Sequence, residues 1–140
     1  MLDRFETSIV IRSRHLSSTE LQGAMGAKSA PGYYMTSGLT KELFGFWLFS
    51  SGLTAKSTLT DHLRVLELWL NGSKDRLRSL RGRAEIALMI VVYRNYFNIG
   101  FELTPEISKI LTAMNLQLIV RFVLGNKRDI PRDISELRLV

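Results

Sequence analysis

The stretch that decides the fold is AEIALMIVVY, residues 84–93. Taken with a two-residue period, Ile86, Leu88, Ile90 and Val92 fall on one face, and Ala87, Met89, Val91 and Tyr93 on the other. Both sets are apolar. A strand apolar on both sides lies in the middle of a sheet and is covered on both faces. The run from Ile86 to Tyr93 ends at Arg94, far short of the roughly 20 apolar residues a bilayer requires. It is therefore a buried strand and not a membrane span.

Working outward, the elements on either side follow from period and caps. FETSIVIR, residues 5–12, alternates Phe5, Thr7, Ile9 and Ile11 against Glu6, Ser8, Val10 and Arg12, and reads as a strand with one clearly apolar face. Ser17 followed by Glu20 has the form of a capping box, so a short helix runs to about Met25. Gly26 to Thr40, with Gly26, Pro31, Gly32 and Gly38, reads as a loop. FGFWLFS, residues 44–50, is the second strand. Leu59, Leu63, Leu66 and Leu70 recur at helical spacing behind Thr58 and end at Asn71-Gly72. A further short helix spans Ser73 to Leu80 and stops at Gly82.

Beyond the central strand, residues 95–103 form a turn with a short extra strand around Ile99 to Glu102. Thr104-Pro105-Glu106 starts a helix, since the hydroxyl caps, proline suits the first helical position and the acid favours the positive end. Asn115 ends it in the left-handed region, and Leu116 to Leu124 is the last strand. Residues 1–124 thus form one α+β domain, followed by a charged tail, 125–140. The order suits a four-stranded, mainly antiparallel sheet with helices on one face, ferredoxin-like with a helical insertion.

The segments LTDHLRVLELWLNGSKDRLRSL and GFELTPEISKILTAMNLQLIVRFVL, together with the tryptophan-bearing strand at Trp47 and the histidine at His62, resemble the bacterial family called domain of unknown function 4279. The resemblance spans residues 8 to 124. It departs at Asn115, where glycine is commoner, and in loop 28–40, which lacks the expected charged residues. It implies the fold and a bacterial or phage origin, and it carries no catalytic residues.

Composition excludes several chemistries. With no cysteine, disulfides, thiolate nucleophiles and sulfur-ligated zinc are ruled out. His15 and His62, the two histidines, have no partner at catalytic or metal-binding spacing and read as surface or capping residues. Glu6, Glu85 and Glu102 could meet only if strands align them, and Glu85 could equally pair with Arg12. GAMGAKS, residues 23–29, misses both glycines of a phosphate loop, which would stand at Gln22 and Ala27, and reads as a glycine-ended helix. No enzyme, cofactor or metal is expected. The start, MLDRFETS, is no secretory signal, so a cytoplasmic protein is expected.

The net charge of +6 attracts acidic partners. KDRLRSLRGR, residues 74–83, concentrates it in Lys74, Arg76, Arg78, Arg81 and Arg83. Leu77 and Leu80 form the buried edge, and Lys74, Arg78 and Arg81, at i, i+4 and i+7, form a single outward stripe with Arg76 and Arg83 to the sides. The simplest reading is a solvated helix face, and it is also the place to look for an anion grip. ELFGFWLF, residues 42–49, partly matches an RNA-recognition strand with Phe44 and Phe46 as stackers, but aromatics on both faces favour core packing. The leading expectation is a non-catalytic domain binding an acidic protein partner, immunity-like neutralisation being one form. The alternative is a nucleic-acid-binding protein. An exposed edge strand also offers a route to a homodimer.

Overall fold

The computed structural model describes residues 3–26, 45–95 and 100–125. Within them the elements follow in the expected order: β1 (Arg4–Ser13), α1 (Ser18–Met25), β2 (Gly45–Ser50), α2 (Leu59–Gly72), α3 (Lys74–Ser79), β3 (Glu85–Arg94), α4 (Pro105–Met114) and β4 (Gln117–Leu124). Residues 100–103 form no strand, so the extra strand around 99–102 is not made there, and Ile99 lies outside the described residues. Loop 27–40 and tail residues 126–140 also lie outside them.

The helix starts form as their sequences dictate. Ser17 and Glu20 complete a reciprocal capping box at α1, and Gly26 closes that helix at φ 64°. Thr58 Oγ1 accepts from the Asp61 N–H at 3.1 Å, and Thr104 Oγ1 from the Ile107 N–H at 3.3 Å. Asn115 ends α4 at φ 52°, ψ 52°.

The four strands lie in the order β2-β1-β3-β4, with β1 antiparallel to both β2 and β3 and β3 parallel to β4. The sheet is therefore mixed. In the ferredoxin-like split arrangement another strand separates the two parallel strands that a helix connects. Here α4 joins β3 and β4, which pair directly from Ala87↔Gln117 to Arg94↔Leu124, so the ferredoxin-like expectation is not met. Hydrophobic pattern specifies which face a strand buries, and it leaves open which neighbour an edge strand takes.

All four helices pack on one face. Leu21 and Met25 of α1, Leu63, Leu66 and Leu70 of α2, Leu77 of α3, and Ile107 and Ile110 of α4 join Ile9, Ile11, Trp47, Leu88, Ile90 and Val92 of the sheet in one core. On the reverse face Val10, Phe46, Leu48, Met89, Val91 and Tyr93 form a second buried cluster. The double-sided pattern of residues 84–93 is thus realised at the centre of the sheet. Trp69 of α2 stacks on Phe49 with centroids 4.4 Å apart and on Trp47 at 5.7 Å, fastening α2 over β2.

Candidate functional site

The shape of α3 follows from two leucines. Leu77 and the capping Leu80 are buried while Lys74, Arg78 and Arg81 are exposed, as expected of an outward stripe. Lys74, Arg78 and Arg81 on that stripe line a cleft of about 440 Å³. Ala113, Met114 and Asn115 at the C-terminal end of α4 line it as well. Between them lie Leu77, Ala84, Ile86 and Leu116. The cleft thus opens between α3 and the end of α4, beside the first residues of β3 and β4.

Its electrostatics are uneven. Asp75 approaches Arg78 only to 3.7 Å and is almost fully exposed, so it takes little from the cationic wall. The other side carries the carbonyl end of α4, equivalent to roughly half a negative charge. Glu85 also lines the cleft, but its Oε2 accepts from Arg12 Nε at 2.6 Å, across paired strands. The pairing of Glu85 with Arg12 read in the sequence therefore forms.

The five basic residues do not act together. Arg76 donates from its guanidinium to the Met25 carbonyl at the end of α1. A Cβ at Gly26 would lie 3.0 Å from that guanidinium, so Arg76 is packed into the α1 terminus. Arg83 donates to the Ser79 carbonyl at 2.7 Å, closing the last turn of α3, and its own carbonyl accepts from Ser13 Oγ at 2.6 Å. Three cations serve the cleft and two serve the fold.

The stacking expectation divides the same way. Phe46 is 1% exposed in the reverse-face core and offers no platform to a base. Phe44 lies outside the described residues.

His15 is exposed, as expected, but His62 is neither a surface nor a capping residue: it is 0% exposed. Its Nε2 lies 3.1 Å from the Thr54 carbonyl, which only accepts, so Nε2 carries hydrogen. In the neutral ring Nδ1 then accepts from the Ser51 hydroxyl, 2.6 Å away. A hydroxyl on a histidine held by a third group is the geometry of an activated nucleophile. Here Ser51 and His62 are both buried and neither lines the cleft, so the pair ties loop 51–57 to α2. The sequence contains a signal for this: His62 stands three residues after Leu59 and four before Leu66, on the buried stripe. Among the described residues no group of three or more His, Asp or Glu is placed to hold a metal ion. No described helix is long and apolar enough to cross a membrane.

Compared with protein families, with curated proteins and with solved structures, the chain finds no match in any of the three.

Proposed function

We propose that the protein is a small non-catalytic interaction domain that receives an acidic segment of a protein partner in the cleft between α3 and α4. One observation carries this reading: Lys74, Arg78 and Arg81 converge on a single concave, partly apolar site, while the other two cations of the segment are engaged within the fold. Concavity together with one sign of charge focuses the field and favours acidic groups. In a bacterial or phage cytoplasm, neutralising a toxin in the manner of an immunity protein is the form of this function we favour. The resemblance to domain of unknown function 4279 belongs to the same proposal and adds no site. Nucleic-acid binding is the alternative. It keeps the exposed stripe but has lost Phe46 as a stacker, and a basic surface without base contacts gives only non-specific affinity.

The test is a fluorescence anisotropy titration of labelled poly-L-glutamate and of single-stranded RNA and DNA, at low and near-physiological salt. Binding of polyglutamate that is lost in the Arg78→Glu/Arg81→Glu variant supports the proposal. Preferential, steeply salt-dependent binding of oligonucleotides moves the function to the alternative. Flat curves for every probe remove the cleft as an anion site.

A further inference from the structure

We infer that the cleft discriminates among acidic ligands, and that its occupant is a peptide segment in which an apolar side chain stands between carboxylates. This rests on the proposed acidic-partner reading and names the chemistry of the segment. Charge alone would be met by any polyanion, but the interior of the cleft is not built for one. Leu77, Ile86, Met114 and Leu116 give it an apolar surface, which neither phosphodiester nor sugar can complement. An aliphatic side chain can, and it gains burial free energy there. The end of α4 places negative potential on the wall opposite the cations, which penalises a uniformly anionic chain. A peptide satisfies both walls at once: its carboxylates face Lys74, Arg78 and Arg81, and its backbone N–H groups face the carbonyl end of α4. The apolar anchor sits between them, and the asymmetry of the walls sets one direction of binding.

The experiment uses the full chain with three labelled probes: a short glutamate-rich peptide with a central leucine, the same peptide with serine there, and oligothymidylate. Two variants accompany the wild type, Arg78→Glu/Arg81→Glu and Ala113→Phe. Ala113 is exposed on α4 and lines the cleft, so phenylalanine there fills it without touching its charge. The leucine peptide is expected to bind about fivefold or more tightly than the serine peptide, the share of leucine burial a half-open site returns. Ala113→Phe is expected to erase that difference and leave the serine peptide's affinity in place. Equal affinity for the two peptides, unchanged by Ala113→Phe, overturns the inference while leaving the acidic-partner reading intact. Peptide binding that survives the arginine reversal overturns both. Oligothymidylate held more tightly than the leucine peptide also overturns the inference and favours nucleic acid. Should Ala113→Phe lose its helical circular dichroism, Gln117→Tyr narrows the same cleft from β4 and replaces it.

Discussion

Replacing His62 with alanine tests whether this histidine is a structural tie. The side chain is fully buried, with one nitrogen 2.6 Å from Ser51 Oγ and the other 3.1 Å from the Thr54 carbonyl. Alanine strands two polar groups in the interior. Each costs about 1–2 kcal/mol, although Ser51 Oγ still accepts from the Leu53 N–H at 3.3 Å and so falls at the lower end. The lost ring leaves a void beneath α2 worth about 1–2 kcal/mol more. The sum is about 3–5 kcal/mol, a large part of the roughly 5–15 kcal/mol that holds a domain folded. For a chain of this size that lowers the melting temperature by roughly 10–20 °C. Urea unfolding followed by tryptophan fluorescence measures it well, because Trp47 and Trp69 stack on each other in the helix-covered core. Ser51→Ala alone should cost about 1–2 kcal/mol, and the double variant should reveal a coupling of about 1 kcal/mol or more between the two positions. A His62→Ala protein that loses less than about 1 kcal/mol at unchanged urea slope would refute the structural role and return His62 to the list of candidates for chemistry.

Two other substitutions separate fold from site. Arg76→Ala should destabilise by about 1.5–3 kcal/mol, since it removes a charged donor from the Met25 carbonyl, yet leave polyglutamate binding unchanged. Charge reversal at Arg78 and Arg81 should do the opposite, with thermal melting and anisotropy compared on the same samples. Gly45→Ala should cost about 1–3 kcal/mol or prevent folding, because a Cβ there would lie 2.2 Å from the Leu16 carbonyl oxygen. A Gly45→Ala protein that melts like the wild type would mean that the Leu16–Ser18 backbone is not held against β2.

Much of this architecture was legible because it depends on local rules. The capping serine and threonines, Pro105, and the left-handed Asn115 each act within a few residues, and every described helix begins or ends within a residue or two of its signal. The two-faced pattern of residues 84–93 identified the central strand for the same reason. What was not legible depends on which distant segments meet. Nothing in Gln117–Leu124 says that it pairs with β3 in parallel, since its apolar residues on both faces suit either neighbour. Arg76 and Arg83 look like their neighbours in the sequence, and only the arrival of the Met25 carbonyl and the closing turn of α3 give their guanidinium groups partners within the fold. The polarity of His62 suggests a surface position, but its place on a stripe of leucines carries it into the core.

The placement of the cleft follows from the same packing that hides its neighbours. Leu77 and Leu80 enter the core, and Lys74, Arg78 and Arg81 beside them stay exposed. A row of cations on an isolated helix would be only a solvated face. It becomes a site because β3 and β4 run parallel and adjacent, so α4 returns across the sheet and its C-terminal residues line the same space as α3. The topology that the sequence did not disclose is therefore what turns a basic helix into one wall of a polarised cleft, and the search for a partner should begin with acidic chains that carry an apolar residue to place inside it.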